Sequence, residues 1–296
     1  MYDLIIVGGG IAGMTSAIYA ARRSMKVLIL SGDLGGQMAK TPDIENWPGE
    51  ITVNGTDLAN KMKAQVDKLE VEFKFEVALK IEKSGKNFKV NSKLNSYETK
   101  TIILAFGKVP RTLKIPGEKE FIGKGVSYCV NCDGPFFKKK DVAIIGGGNS
   151  AVDAALVMSD IANKVYLIHR KDKFRAESYL IEKLKTKDNV ETIMESKATN
   201  IEGLKTVEKL TLDPIKELLV SAVFIEVGYI VNDFLVDGLI DTDEKGQIKV
   251  DNNQQTSVPG IFAAGDLTNT PFQQLVIAAG EAAVATLSAY DYIQKV

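Results

Sequence analysis

The stretch Asp3-Leu4-Ile5-Ile6-Val7-Gly8-Gly9-Gly10-Ile11-Ala12-Gly13 decides the fold class. Leu4 to Val7 are apolar, and three of the four are β-branched, the pattern of a strand buried on both faces. The glycines that follow form Gly-x-Gly-x-x-Gly, and Met14 to Arg23 is rich in helix-forming alanine. Val27 to Leu30 is a second apolar run. Strand, glycine turn, helix and strand make a βαβ unit. Here Gly8 permits the tight turn, Gly10 lets backbone approach a pyrophosphate, and Gly13 lets helix and strand pack closely.

The same unit recurs 138 residues later (146 − 8 = 138). Asp141 to Ile145 repeats the strand. Gly146, Gly148, Asn149, Ser150 and Ala151 fall on the first turn, Val152 to Ile161 on its helix, and Val165 to Ile168 on Val27 to Leu30. One glycine turn is a weak signal, whereas two with matched flanking strands predict an α/β protein of two Rossmann-like nucleotide-binding domains. The length of 296 residues also suits about two domains. The second unit reads as an insertion in the first, giving domains 1–110 with 242–296, and 111–241.

Outside these units, Gly55 to Leu69 reads as a helix capped by Thr56 or Asp57, and Phe174 to Lys187 as an amphipathic helix. Val71 to Val90, Thr101 to Phe106, Val220 to Val227 and Ile248 to Val250 read as strands. The last helix runs from about Leu275 to Ile293.

Composition narrows the function. The chain is 45% hydrophobic and 25% charged with net charge −1, so no excess of cations exists to neutralise a nucleic-acid backbone. No apolar run approaches the ~20 residues needed to span a bilayer. The start of the chain lacks the basic and apolar regions of a secretory leader, which makes the cytoplasm the expected compartment. The cysteines are Cys129 and Cys132 alone, one Cys-x-x-Cys pair. With His169 as the single histidine, a structural metal cluster lacks ligands, and redox chemistry is expected instead. Asp133, next to Cys132, is a candidate general acid for a departing thiolate.

The end of the second strand of each unit discriminates between nucleotides, because an acid there takes a ribose hydroxyl and cations take a 2′-phosphate. The second unit has His169, Arg170 and Lys171 followed by Arg175, four potential cations that favour NADPH over NADH. The first unit has Ser31.

Taken together, Gly8 to Arg22, Gly35-Gly36-Gln37, Glu45 to Gly49, Cys129 to Gly134, Gly146 to Ala151, His169 to Arg175 and Gly265-Asp266 resemble, in order and spacing, the low-molecular-weight NADPH-dependent thioredoxin reductases. The resemblance covers nearly the whole chain. It implies FAD in the outer domain, held by Gly8, Gly10, Ile11, Ala12 and Gly13, with Gly36, Gln37, Asn46, Ala105, Gly107, Gln273 and Gln274 around the flavin. Val77 would lie near the adenine, and Gly265 and Asp266 near the ribityl chain. NADPH would bind the inserted domain. A hydride would pass from NADPH to FAD and on to a Cys129–Cys132 disulfide. Cys132 would face the flavin, and Cys129 would attack a thioredoxin or glutaredoxin-like disulfide.

The resemblance also implies a homodimer, and a rotation between domains about two extended, poorly packed linkers. The chain departs from the family at Ile11 in the first turn, Lys171 (usually Arg), Phe106 (usually Thr), Gln273 (usually Arg) and Val231-Asn232 (usually Pro-Asn). Ser196 to Val227 is short for the family's three-stranded meander, which predicts a trimmed nucleotide domain. A disulfide reductase fed by ferredoxin or another non-NADPH donor is the alternative. An NADPH oxidase with idle cysteines and a non-enzymatic nucleotide sensor are further ones.

Overall fold

The computed structural model describes residues 1–41, 44–214, 216–231, 233–236 and 238–295. The departure at Asn232 lies outside them. The chain divides into two compact units, Met1–Val109 with Ile230–Val296, and Pro110–Tyr229.

The first unit runs β1 (Tyr2–Val7), α1 (Ile11–Ala21), β2 (Val27–Leu30), α2 (Gly55–Lys68), β3 (Glu72–Lys74), β4 (Ala78–Ser84), β5 (Asn87–Ser92) and β6 (Ser96–Leu104). The chain crosses over in β7 (Val109–Pro110). The second unit holds β8 (Val126–Ser127), α3 (Val130–Asp133), β9 (Asp141–Gly146), α4 (Asn149–Ser159), β10 (Lys164–Ile168), α5 (Ser178–Lys185), β11 (Val190–Ile193), β12 (Lys197–Glu202), β13 (Lys209–Asp213), β14 (Lys216–Leu219) and β15 (Ala222–Glu226). The return is β16 (Tyr229–Ile230), and the first unit finishes with β17 (Ile261–Ala263) and α6 (Leu275–Lys295).

The two units share one register. Leu4 pairs with Val27 on parallel β1 and β2, and Val142 pairs with Val165 on parallel β9 and β10, both shifted by the same 138 positions (142 − 4 and 165 − 27). The sheets run β3-β2-β1-β6-β5-β4, with β17 also on β6, and β11-β10-β9-β15-β8. The unbroken apolar runs follow from burial on both faces. Leu4 and Ile6 enter one core with Val27 and Ile29, while Ile5 and Val7 enter another with Leu28 and Leu30. In the second unit Val142 and Ile144 face one core, Ala143 and Ile145 the other.

Several expectations need correction. The cap of α2 is Asn54, whose side-chain oxygen accepts from the Thr56 N–H at 2.9 Å. Loss of such a cap costs about 1 kcal/mol, so Asn54→Ala should lower the urea midpoint of the first unit by that equivalent. The helix expected from Phe174 starts only at Ser178, because Phe174 stacks on His169 and the Arg175 N–H donates to the Gly147 carbonyl. Ile248 forms isolated bridges rather than a strand.

The meander is not trimmed. β12, β13 and β14 form a three-stranded antiparallel sheet, and Ile201, Leu210, Leu212 and Leu218 bury its inner face against Ile145, Ile168 and Val223.

The return crossing falls at Tyr229–Ile230, before the expected 242. The cause is apolar burial, since Val231, Leu235, Val236 and Ile240 pack into the first unit's core with Val7 and Leu104. Both crossings are extended and pair as a two-stranded ribbon, with Val109, Tyr229 and Ile230 each more than a third exposed.

Candidate active site

The first glycine turn is closed by contacts that leave no room for side chains. Gly8 sits at φ +119°, and a Cβ there would lie 2.3 Å from the Ala105 carbonyl oxygen. A Cβ on Gly13 would lie 1.9 Å from the Gly8 carbonyl oxygen. Around Gly10, by contrast, the nearest atom to a built Cβ is 3.8 Å away. The backbone at Gly10, the N-cap of α1, therefore presents an open face. No side chain caps this helix and no acid stands in its first turn, so its first N–H groups and dipole are available to an anion.

Four segments converge on this turn: Ala105 against Gly8, Gly35 and Gly36 against Gly10, Ser31 against Gly9, and Gly265 against Ala12. Val77 lies over Gly32 at the end of β2, as a contact of 3.0 Å from its Cγ2 to a built Cβ records. Gln37 Nε2 donates to the Lys108 carbonyl at 3.0 Å, and Asn46 Nδ2 to Gln274 Oε1 at 3.1 Å. Gln273 is exposed beside it, and Gly107, at φ +64°, has open space around it.

Two ionisable groups that the sequence did not single out sit with Asp266. Burial pushes the Asp266 carboxyl up, with the Lys108 ammonium opposing. Burial also raises Glu281, whose carboxylate accepts from the Gly265 N–H at 2.7 Å. Lys108 itself is pushed down by burial, with Asp266 and Asp243 opposing.

The second turn repeats the pattern. Gly146 has no room, because a Cβ would lie 2.3 Å from the Glu226 carbonyl oxygen, whereas Gly148, the uncapped N-cap of α4, faces open space. Ala151 is fully buried. Asn149 turns its side chain away to Glu177, donating to Oε1 at 2.9 Å and accepting the Glu177 N–H at 3.0 Å, so only its backbone and exposed Ser150 remain at the turn.

His169 differs from its basic neighbours in burial. It is 5% exposed, and burial pushes its pKa down, with Arg175, Arg170 and Lys171 pushing the same way and a hydrogen bond with the Lys173 backbone opposing. Its Nε2 is buried with no partner among the described residues. Positive charge at this strand end comes from Arg170, Lys171 and Arg175, all exposed. Arg175 is tied to the turn by its N–H bond to the Gly147 carbonyl at 2.7 Å.

Between β8 and the second turn lies the sulfur pair. Cys129 and Cys132 form a disulfide with Cα atoms 5.3 Å apart. Cys129 is the N-cap of α3, and its Sγ accepts the Cys132 N–H at 3.2 Å. Ser127, also unanticipated, organises the turn. Its hydroxyl donates to Asp133 Oδ2 at 2.6 Å and accepts the Cys129 N–H at 3.0 Å. Asp133 is thereby held beside the cysteines, half-buried.

A disulfide inside the second of two dinucleotide-type units is the defining combination, and residues 2–283 match the pyridine nucleotide-disulphide oxidoreductase family. The chain belongs to that family. Within this oxidoreductase family it is similar along its whole length to thioredoxin reductases. It is 37% identical to that of Escherichia coli O157:H7, covering 98% of this chain and 95% of the relative. The structure of a Lactococcus lactis thioredoxin reductase in its FR conformation matches with a TM-score of 0.89 at 37% identity, covering 100% of both chains. A component of the alkyl hydroperoxide reductase of Staphylococcus aureus strain NCTC 8325 is 36% identical over 99% of this chain. The chain spans only 59% of the length of that relative. Among the described residues no helix is long and apolar enough to cross a membrane.

Proposed function

We propose that this chain is an NADPH-dependent flavoenzyme that reduces the disulfide of thioredoxin or a glutaredoxin-like protein. It would work as a cytoplasmic homodimer. The observation that carries the reading is the Cys129–Cys132 disulfide closed on α3, within the unit that repeats the glycine turn of the first.

The residues suit the two nucleotides. In the first unit, the open cradle at Gly10, the uncapped start of α1 and the polar rim of Ser31, Gln37, Asn46 and Asp266 fit FAD. In the second, open Gly148 and the uncapped start of α4 fit a pyrophosphate. Arg170, Lys171 and Arg175 fit a 2′-phosphate, and the orphaned His169 Nε2 would find a polar partner. A bound flavin supplies the two-electron relay between nicotinamide and disulfide.

The rest falls to the chain's own groups. Cys129, half-buried and at the start of α3, attacks the partner's disulfide, and Cys132 resolves the mixed disulfide. Asp133, held in place by the Ser127 hydroxyl, passes a proton taken from solvent to the departing thiolate.

Cofactor choice is testable at Arg170. Removing a charge-assisted contact to the 2′-phosphate costs roughly 1.5–3 kcal/mol, so Arg170→Ala should raise KM for NADPH by about 10- to 150-fold and leave KM for NADH nearly unchanged. Equal effects on both would remove the assignment. The ferredoxin alternative is separated by following NADPH oxidation with oxidised thioredoxin. No consumption, together with turnover driven by reduced ferredoxin, would replace the NADPH reading.

A further inference from the structure

Glu226 is a carboxyl that the proposed reaction does not use. It ends β15, a strand otherwise made of the buried residues Ala222 to Ile225, and pairs in register with Gly146. Its carboxylate accepts the N–H of Val130, the residue that follows Cys129 inside the Cys-x-x-Cys segment. That bond brings the carboxylate to within about 8 Å of the Cys129 sulfur, the sum of one hydrogen bond and an extended Cys side chain.

The groups around it do not neutralise it. Position 146 on β9 has no side chain. On β8, the Ser127 hydroxyl is engaged with Asp133 of α3. On α4, Asp153 responds to Glu177 and Lys183 rather than to Glu226. Beyond β15, Tyr229 does face it, and burial together with the Glu226 charge pushes that phenol up. Among the described residues no lysine or arginine pairs with Glu226, and burial pushes its carboxyl up to about 7, with the Val130 N–H opposing.

We propose that Glu226 is the proton acceptor coupled to this disulfide: when the Cys129–Cys132 bond is reduced, the charge left on a thiolate draws a proton from solvent onto the Glu226 carboxylate. The inference rests on the cysteine pair being the redox couple of the proposed reaction. Two electrons, from a dithiol or from the flavin of that reaction, break the S–S bond. One sulfur takes a proton and becomes a thiol, the other remains a thiolate, and the carboxylate takes a second proton. Two electrons and two protons enter, and the charge of the group stays at −1. The charge that would otherwise accumulate in a poorly solvated site is avoided. Glu226 acts through the sulfur pair, as a positioning and proton-holding residue.

The experiment equilibrates the full-length holoprotein with mixtures of oxidised and reduced dithiothreitol at about pH 6 and about pH 9, on either side of the carboxyl and thiol titrations. Dithiol is trapped by alkylation and counted by mass. A unit charge about 8 Å away at an effective dielectric of about 20 is worth tenfold or more in an equilibrium. Glu226→Gln should therefore raise the dithiol-to-disulfide ratio about tenfold over wild type at about pH 9, where carboxylate and thiolate coexist. At about pH 6, where both are protonated, it should change the ratio by less than about twofold. A shift of equal size at both pH values marks a purely structural role and overturns the proposal. A wild-type pair that does not titrate reversibly overturns the redox reading, and the proposal with it. Should Glu226→Gln fail to fold, wild-type protein labelled with carbon-13 glutamate decides. A gain of carboxylic-acid carbonyl absorption in the reduced-minus-oxidised infrared spectrum supports the proposal, and its absence overturns it.

Discussion

Cys129→Ser and Cys132→Ser should each lower NADPH-driven reduction of oxidised thioredoxin by about a thousandfold or more, while NADPH oxidation with ferricyanide as acceptor stays close to the wild-type rate. The asymmetry follows from where the sulfurs sit. The disulfide belongs to α3 and takes no part in either glycine turn, so its loss leaves both turns intact. Thiol–disulfide exchange has no substitute in a serine hydroxyl, whose pKa lies far above a thiol's. The two variants should differ in one product. With Cys132 removed, Cys129 still attacks the partner and the mixed disulfide persists, visible as a covalent adduct by mass. With Cys129 removed, no adduct should accumulate. Adducts on Cys132 instead would reverse the roles given to the two sulfurs. Undiminished thioredoxin turnover in Cys129→Ser would mean that the pair is idle.

Some features of this site were legible in the sequence because they depend on short-range pattern. The two glycine turns announced themselves through spacing, and the shared register of Leu4 with Val27 and Val142 with Val165 followed from apolar runs of equal length. The Cys-x-x-Cys pair needed no structure to be noticed. Features that depend on particular side-chain contacts were not legible. Nothing local marks Ser127 as the group that holds Asp133. His169 looked like an exposed member of a basic cluster, yet its ring packs against Gly147 and Phe174, and burial pushes its pKa down. The same stacking stopped the helix expected from Phe174, since amphipathic spacing does not report a ring already used elsewhere. The return crossing was placed too late because the polar and glycine positions between Val231 and Ile240 suggested a boundary, whereas the apolar residues among them reach the first unit's core. Glu226 did carry a signal, a lone acid ending an apolar strand. Its meaning depended on the Val130 N–H, which lies far away in sequence.

The two turns also differ in a way that sets the second large effect. At the third glycine position the first unit has Gly13 and the second has Ala151. In the second unit the methyl group is accommodated, and Ala151 is fully buried. In the first, a methyl on Gly13 would sit 1.9 Å from the Gly8 carbonyl oxygen, a backbone atom that has no rotamer with which to retreat. Gly8 cannot move toward β6 either, since its own Cα already faces the Ala105 carbonyl at a distance that would exclude a Cβ. Relief must therefore come from sliding α1 off the sheet, against its packing on α6, where Ala17 and Ala20 pack with Ala282 and Ala285. Overpacking of this kind costs about 1–3 kcal/mol or more, and the slide also misplaces the N–H groups at the start of α1. Gly13→Ala should thus lower the melting temperature of the first unit by several degrees, taking about 2–4 °C per kcal/mol, and the purified protein should lose most of its yellow flavin absorbance. The mirror variant, Ala151→Gly, relieves no clash and costs only about 0.5–1 kcal/mol from helix flexibility, so flavin content should be unchanged. Full flavin retention and an unshifted melting temperature in Gly13→Ala would show that α1 moves more easily than this packing allows, and would detach the first glycine turn from FAD binding.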